Sequence, residues 1–276
     1  MYKRQVPGYL LGAPPSRTNP EGQPWGYPVL DPHAPAARSL LVARVSKLLD
    51  EADGLRIDHP HGLVSPWVYR HDARDPRAGV QAGARLRASP DLPEHPGLAR
   101  YAAVTPAQLD RSLPRHADGW VRHVQPQQVD QYAVLFDALV TTTRARDLHV
   151  EDLACEILST CPHPLARVLE WHGLGRFRVT SKANVLDPED PYRGDRARPQ
   201  DWIMLATHDT PPIWATIERW RVTGEVERRA DYLARFLARE PADRAGFASR
   251  LTGAPHLLPE ALLAEAFASP ARNVSI

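Results

Sequence analysis

The chain has 276 residues, 43% of them hydrophobic, which is enough for one large core or for two domains of about 150 residues each. Its 34 basic and 33 acidic residues nearly cancel, so nothing in the charge favours nucleic acid or an anionic membrane as a partner, and a neutral ligand is easier to accommodate. The sequence contains no apolar run approaching the roughly 20 residues that span a bilayer.

Cysteine and proline usage narrows the class of protein further. Cys155 and Cys161 are the two cysteines and do not form a Cys-x-x-Cys pair, which argues against a disulfide framework and favours a reducing, cytoplasmic compartment. Proline accounts for 28 residues, about twice the average share. These prolines alternate with aromatic and apolar residues, so we expect folded loops instead of disorder.

The first predicted elements are a loop, a helix and a strand. Residues 7–35 show no periodic pattern, and we expect a long functional loop there, punctuated by proline and glycine. Residues 36–52 predict an amphipathic helix. Its apolar stripe comprises Leu41, Val45, Leu48 and Leu49. A short strand is predicted at Leu55–His59, because Pro60 cannot continue a ladder.

Residues beyond 70 predict an alternation of helices and strands. Residues 71–100 are rich in Arg, Pro and Gly and are typical of an insertion. Helices are predicted at 128–146, 164–172, 211–239 and 257–268, and strands at 150–156, 177–180, 202–207 and 273–276. Strands that alternate with helices indicate a parallel sheet. The fold class predicted is therefore α/β.

Asp58 is the first candidate catalytic residue. Side chains alternate along a strand, so Arg56 and Asp58 share one face of the predicted strand. In a (β/α)8 barrel, a charged residue at the carboxyl end of a strand is typically catalytic. Arg56 favours the ionised carboxylate that a glycosidic nucleophile requires. A structural Arg–Asp ion pair explains these two residues equally well.

Two further carboxylates follow predicted strands. Asp209, beside His208, ends the most apolar strand and precedes a helix, although a helix cap would also account for Asp209 or Thr210. Glu156 follows the apolar run 153–155, where an ordinary solvated glutamate is the alternative. Carboxyl ends of parallel strands meet at one rim, and retaining glycoside chemistry needs two carboxyl groups about 5–5.5 Å apart.

Several segments together resemble the 4-α-glucanotransferases, the family of amylomaltase and disproportionating enzyme. LRIDH (55–59) resembles the nucleophile strand, GAPPSRTNPEGQPWGYP (12–28) the Gly-Gln-x-Trp-Gly loop, and THDTPP (207–212) the third-carboxylate motif. GRFRVTSKAN (175–184) and YRGDRARPQDWIM (192–204) are similar to connecting segments. The resemblance extends from about residue 7 to the last residue.

The resemblance implies an enzyme that transfers α-1,4-glucan segments between maltooligosaccharides or starch, with no cofactor and no metal. The implied roles are Asp58 as nucleophile, Arg56 as its supporting cation, Glu156 as general acid/base, Asp209 as transition-state stabiliser, His59 and His208 as donor-sugar ligands, and Gln23 and Trp25 as groove lining. The implied fold is a partial (β/α)8 barrel with long proline-rich loops.

The chain departs from the family pattern in two places. The family usually has Glu-Asp-Leu-Gly at the acid/base, where this chain has EILS (156–159), and EDLA (151–154) is closer by letter. We prefer Glu156 to Glu151 because the Pro-x-Pro-Leu segment follows it at the family's distance. The family usually has Phe-Arg after the Asp-His pair, where this chain has Pro60-His61.

The resemblance also sets expectations for the domain. The family barrel has three strands before the loop at 12–28, and its last strand follows a segment like SPARNV (269–274). We therefore expect residues 7–276 to form one incomplete barrel domain, truncated at both ends. Residues 1–6 do not resemble the family and are expected to be a non-native leader.

Three alternatives remain open at the level of sequence. An α-glucan hydrolase would use the same carboxylates with water as acceptor. A metal-dependent barrel hydrolase would use histidine and carboxylate ligands. Its candidate ligands are His59, His61, His208 and Asp209. A third possibility is a chain that is inactive in isolation, because an open barrel exposes strand edges and apolar surface.

Overall fold

The computed structural model describes residues 4–16 and 19–276. The described chain divides into two compact units. Unit 1 extends to Glu156 and resumes over Thr160–Leu174, and unit 2 comprises Ile157–Ser159 and Gly175–Ile276. The leader expected at residues 1–6 lies partly outside the described residues, and the single domain expected over 7–276 stays a prediction.

Unit 1 contains an antiparallel sheet, a parallel strand pair and a layer of helices. Its strands are β1 (Gln5–Ala13), β2 (Gln23–Leu30), β3 (Leu55–Ile57), β4 (Trp67–Arg70), β5 (Ala84–Arg85) and β6 (Leu153–Cys155). Its helices are α1 (Pro35–Leu49), α2 (His61–Val64), α3 (Pro76–Gln81), α4 (Pro126–Arg144) and α5 (His163–His172). Short 3-10 segments lie at Pro96–Tyr101, Pro106–Gln108, Asp118–Trp120 and Val150–Asp152.

Unit 2 contains a parallel sheet followed by helices. Its strands are β7 (Phe177–Val179), β8 (Trp202–Met204) and β9 (Asn273–Ser275). Its helices are α6 (Ile213–Thr223), α7 (Val226–Leu237), α8 (Arg244–Gly253) and α9 (Leu258–Ala268). Short 3-10 segments lie at Thr180–Lys182, Gly194–Arg196, Pro241–Asp243 and Pro255–Leu257.

The expectation of a long loop at residues 7–35 is wrong. β1 and β2 pair antiparallel and form half of a four-stranded sheet with the order β2-β1-β4-β5. Two register shifts interrupt the pairing, and Gly8 and Gly26 have positive φ angles of 81° and 73°. Bulges and glycines interrupt the alternation of apolar and polar residues on which a strand prediction depends. Pro24 and Pro28 are tolerated because β2 is an edge strand.

The segment expected to be an insertion contributes to the core of unit 1. It contains α3 and β5, and β5 closes one edge of the four-stranded sheet. Leu86 and Leu98 are 1% and 0% exposed and pack in one cluster with Val68 of β4. A segment that supplies side chains to the core cannot be deleted as freely as a surface loop. This segment is therefore an integral part of unit 1.

The helices of unit 1 follow the sequence pattern closely. α1 and α4 pack on each other, and α5 packs on α4. α4 begins at a capping box formed by Gln125 and Gln128, and α5 ends at Gly173, whose φ of 70° gives the left-handed conformation of a C-cap. In α1, Val45 and Leu49 are buried as predicted, whereas Leu48 is 41% exposed.

All the strands predicted near residues 55, 152, 177, 203 and 274 are present and pair in parallel. They divide over a two-stranded sheet, β3-β6, and a three-stranded sheet, β7-β8-β9. The mixed α/β class is therefore confirmed. The same two sheets bring the candidate catalytic segments to strand ends, with residue 58 after β3, residue 156 after β6 and residue 209 after β8.

The single helix predicted over 211–239 is wrong. Gly224 adopts a φ of 70° and ends α6, and α7 begins at Val226. Glycine is the residue that takes the left-handed conformation without a steric penalty, so an interior glycine here acts as a helix stop. The core of unit 2 lies between these helices and the sheet, with Trp220, Leu233 and Ile203 almost completely buried.

One glycine controls how closely β3 and β6 can approach. A Cβ atom added at Gly54 would lie 2.6 Å from the backbone oxygen of Asp152. We expect Gly54→Ala to lower the free energy of unfolding by about 1–3 kcal/mol in urea titrations, because backbone atoms must shift. Gly62→Ala is the matched control, since a Cβ there meets no atom within 4 Å. Equal stabilities for the two variants would contradict this account.

Over residues 4–16 and 19–276, helices long and apolar enough to cross a membrane are absent.

Candidate active site

The register of β3 and β6 makes Asp58 and Glu156 neighbours. The two strands are parallel, with Leu55 opposite Leu153 and Ile57 opposite Cys155. The pairing continues one step further, because the Glu156 amide donates to the Ile57 carbonyl at 3.0 Å. Residues in matched register on parallel strands project from the same face, about 4.8 Å apart along the sheet. Retaining glycosidases need two carboxyl groups close together, roughly 5–5.5 Å apart.

Arg56 links the two carboxyl groups. Its Nη2 atom donates to Glu156 Oε2 at 2.5 Å and lies 3.9 Å from Asp58 Oδ1. The sequence places Arg56 and Asp58 on one strand face, and the structure adds Glu156 to that face. An Arg–Asp pair alone, the structural alternative, does not account for a second, buried carboxyl group in the same cluster.

Glu156 and Asp58 have different environments. The Glu156 side chain is 7% exposed and that of Asp58 is 73% exposed. Burial and the proximity of Asp58 raise the pKa of Glu156, and Arg56 opposes this effect. Glu156 Oε1 is buried and accepts no hydrogen bond from the described residues, so it is open to a proton. Two carboxyl groups in unlike environments are the arrangement that separates an acid from an ionised partner.

His59 lies between Asp58 and a group of aromatic rings. Its φ of 49° is unusual for a residue with a side chain. The ring stacks on His61 with centroids 4.3 Å apart and meets the edge of Trp25 at 4.8 Å. Burial lowers the pKa of His59 to about 4, with a smaller raising effect of Asp58 and a smaller lowering effect of Arg85. His59 is therefore neutral near pH 7 and can both donate and accept a hydrogen bond.

A cleft of about 700 Å³ in unit 1 opens beside these residues. Its polar lining includes Arg56, Asp58 and His59, and its aromatic lining includes Trp25 and Tyr27. The side chains that complete its apolar part include Leu41, Val45, Leu48, Leu55, Ile57 and Leu63. Clefts of this size that combine apolar walls with a few convergent polar groups are typical ligand sites. This lining also accounts for the exposure of Leu48, which the helix pattern predicted to be buried.

Gln23 and Trp25 support each other at the start of β2. The Trp25 Nε1 group donates to Gln23 Oε1 at 3.1 Å, and Trp25 lines the cleft. Both residues were predicted from the Gly-Gln-x-Trp-Gly motif. They lie on an edge strand and not in a free loop, which fixes the indole against His59.

His208 and Asp209 lie in unit 2, in the turn between β8 and α6. His208 Nε2 is 3.4 Å from Asp209 Oδ1, and their side chains are 66% and 62% exposed. The turn that presents them is closed by Thr210, whose hydroxyl donates to the Thr207 carbonyl at 2.6 Å and accepts from the Thr207 amide at 2.9 Å. Within the described chain, α6 has Pro212 at its N-cap and lacks a side-chain cap, so the helix-cap explanation of Asp209 or Thr210 is wrong.

Two functional features escaped the sequence analysis. Arg85 is 3% exposed, and its positive charge acts on His59. Arg85 gave no local signal, because it is one of many arginines in 71–100. His61 was considered as a possible metal ligand and as a departure from the family pattern, and its Nε2 donates to the Thr160 carbonyl at 3.1 Å while its ring stacks on His59. Glu151, the competitor of Glu156, is an exposed residue of the 3-10 segment before β6.

The metal hypothesis finds no structural support. Among residues 4–16 and 19–276, three or more His, Cys, Asp or Glu side chains do not gather in an arrangement that could hold a metal ion. His59 and His61 stack on each other with an interplanar angle of 29°. Both rings serve the aromatic group beside Asp58.

The fold is similar to part of the amylomaltase fold. Amylomaltase from Streptococcus agalactiae, in complex with acarbose, superposes with a TM-score of 0.60 at 16% identity, covering 98% of this chain and 41% of that chain. Amylomaltase from Corynebacterium glutamicum superposes with a TM-score of 0.63 at 17% identity, covering 99% of this chain and 35% of that chain. The chain thus spans well under half the length of these two neighbours.

The family follows from the sequence. The family model described as 4-alpha-glucanotransferase matches residues 1–276, and the chain belongs to this family. This confirms the resemblance seen in the motifs. Comparison with curated protein sequences finds no significant match.

Proposed function

We propose that this chain carries the reaction centre of a retaining 4-α-glucanotransferase, with Asp58 as nucleophile and Glu156 as general acid/base. The observation that supports this assignment most strongly is the Asp58–Glu156 pair, held in strand register and joined by Arg56. Membership of the family supplies the reaction class. The unlike environments of the two carboxyl groups support the division into an acid and a nucleophile that the reaction requires.

In the first half-reaction, protonated Glu156 gives its proton to the glycosidic oxygen of the donor glucan. The carboxylate of Asp58 attacks C1, the C1–O bond breaks, and the shortened glucan departs with a new hydroxyl group. Asp58 now holds the remaining glucan as a glycosyl ester. Arg56 stabilises Asp58 as an anion and neutralises the charge that Glu156 acquires, because its guanidinium contacts both.

In the second half-reaction, the Glu156 carboxylate takes the proton of the acceptor's 4-hydroxyl group. The acceptor oxygen attacks C1, and the bond to Asp58 breaks with its electrons returning to the carboxylate. The result is an α-1,4 bond of unchanged configuration and a protonated Glu156. Water as the acceptor would give hydrolysis from the same intermediate.

The remaining predicted residues are assigned to substrate binding. We propose that neutral His59 hydrogen-bonds a donor-sugar hydroxyl and that Trp25, positioned by Gln23, packs on a sugar face. His208 and Asp209 are proposed as further donor-sugar ligands, with Asp209 gripping ring hydroxyls in the transition state. Their exposed pair is free to accept and donate to a neutral sugar.

The finer fold and the location are proposals as well. We propose that β3, β6 and β7 to β9 are strands of a partial (β/α)8 barrel, which the parallel pairings and the alternation of strands with helices support. We infer a cytoplasmic location from the cysteine usage, since two cysteines that do not form a Cys-x-x-Cys pair favour a reducing compartment.

Incubation of the 276-residue chain with maltotriose tests the proposed function. We expect maltooligosaccharides longer than the substrate, because transfer to a second maltotriose conserves the number of glycosidic bonds. Chromatography with mass detection resolves the products. Glucose and maltose without longer products would establish the hydrolase instead, and a folded chain that gives neither would establish that it is inactive in isolation.

A further inference from the structure

We propose that Arg229 is a positioning residue that fixes the β8–α6 segment, residues 205–212, which presents His208 and Asp209. The inference rests on the proposed role of Asp209 for its functional meaning. Arg229 lies in the first turn of α7, is 4% exposed and does not line the segment itself. It acts on both ends of the segment through other residues.

The strand end of the segment is held through the turn that follows β7. Arg229 Nη1 donates to the Thr180 carbonyl at 3.1 Å, and Nη2 donates to the Ala183 carbonyl at 2.5 Å. Between these two carbonyls, the Ser181 amide donates to the Leu205 carbonyl at 3.2 Å. The guanidinium therefore fixes the turn after β7, and this turn anchors Leu205, the first residue of the segment.

The helix end of the segment is held by a ring contact. The guanidinium of Arg229 lies 4.2 Å from the centre of the Trp220 ring, and Trp220 is a buried residue of α6. α6 begins immediately after Pro211 and Pro212. One buried cation thus contacts α6 directly and reaches the end of β8 through the turn that follows β7.

An arginine suits this place better than any other side chain. Its planar fork can serve several backbone carbonyls at once, whereas lysine presents a single ammonium group. Glu265, 1% exposed, supplies the balancing negative charge that a buried guanidinium needs. Glu265 is itself held by the Tyr232 hydroxyl at 2.6 Å and the Gly194 amide at 3.0 Å.

A second buried arginine of unit 2 provides a matched control. Arg178 donates from Nε to Asp201 Oδ2 at 2.5 Å and from Nη1 to the Pro191 carbonyl at 2.8 Å. Asp201 also accepts from the Arg176 amide, before β7, and directly precedes β8. Arg178 therefore stabilises the amino-terminal ends of β7 and β8, away from the segment that follows β8.

Hydrogen exchange of the whole chain, followed by mass spectrometry, separates local positioning from general stability. We expect Arg229→Met to raise amide exchange over 205–210 about tenfold or more, as loss of a net hydrogen bond or two implies. Arg229→Lys should raise it less. Arg178→Met should raise exchange over 198–201 instead and leave 205–210 within about twofold of the parent chain.

Turnover of maltotriose gives an independent readout. Arg229→Met should lower kcat more than it raises KM, because Asp209 is proposed to bind the transition state more tightly than the substrate. Unchanged exchange over 205–210 in Arg229→Met, or an equal rise in Arg178→Met, would overturn the positioning role. If Arg229→Met does not fold, amide exchange over 205–210 in Arg229→Lys tests the positioning role in the same way. A parent chain that only hydrolyses maltotriose would refute the proposed function, while the exchange data would still decide the role of Arg229.

Discussion

Asp58→Asn is expected to lower transfer from maltotriose roughly 10⁴-fold or more, as removal of a covalent nucleophile does in other enzymes. The asparagine amide is nearly isosteric with the carboxylate but cannot form the glycosyl ester. Asp58 is 73% exposed, so the exchange leaves the core intact, and the thermal midpoint should change little. Initial rates from product chromatography measure the loss.

The covalent intermediate can be detected directly. A donor fluoride that carries a second fluorine on its sugar ring slows the release step, and the parent chain should gain the mass of one glycosyl group on the peptide containing Asp58. Asp72→Asn is the control, because Asp72 is an exposed aspartate of unit 1 that pairs only with Arg70 among the ion pairs described. A few per cent of the parent rate in Asp58→Asn, or a label on another carboxylate, would remove Asp58 from the role.

The sequence predicts those parts of the fold that depend on local periodicity. Helices α1, α4 and α5 and the parallel strands follow patterns of apolar residues and clear caps such as Gly173. The sheet β2-β1-β4-β5 does not, because its strands combine bulges, prolines and positive-φ glycines that cancel the period of two. Its stability comes from long-range pairing, which no window of the sequence contains.

The candidate site likewise has some residues that the sequence predicts and others that depend on the tertiary fold. Motif similarity selects Asp58 and Asp209 but leaves Glu156 and Glu151 as competitors, and letter similarity even favours Glu151. The strand register favours Glu156, since Ile57 pairs with Cys155 and the Glu156 amide donates to the Ile57 carbonyl. Pairing register depends on contacts between segments about 100 residues apart, so local sequence cannot supply it.

The electrostatic environment of His59 could not be predicted from the sequence either. The low pKa of His59 has burial as its main cause, and the charge of Arg85 adds to it. Burial of His59 follows from its contacts with His61 and Trp25, and Trp25 reaches it only because residues 23–30 form a strand. The neutral state of His59 is thus a consequence of the tertiary fold.

Glu156→Gln is expected to lower transfer from maltotriose about 10²–10⁴-fold, the range found for loss of a general acid. A glutamine retains the hydrogen bond from Arg56 but cannot supply a proton to the glycosidic oxygen. The defect should therefore depend on the leaving group. Maltosyl fluoride releases fluoride ion, a leaving group that needs no proton. The rate at which maltosyl fluoride forms the glycosyl ester should therefore remain within about tenfold of the parent rate.

The pH profile provides a second test of Glu156. Its pKa is raised, chiefly by burial, and the protonated form is the active one in the first half-reaction. The rate of ester formation should therefore be full below this pKa and fall as pH rises through it, with a midpoint above the usual value of about 4.3 for glutamate. Arg56 opposes the shift, so Arg56→Met should move that midpoint to higher pH.

Glu151→Gln distinguishes the two candidate acids. Glu151 is exposed in the 3-10 segment before β6, so its replacement should leave maltotriose turnover within about twofold and the pH profile unchanged. The reverse outcome, in which Glu151→Gln abolishes turnover and Glu156→Gln does not, would transfer the acid role to Glu151. Equal losses with maltotriose and with maltosyl fluoride in Glu156→Gln would show that Glu156 does not protonate the leaving group, because proton donation is the step that the fluoride makes unnecessary.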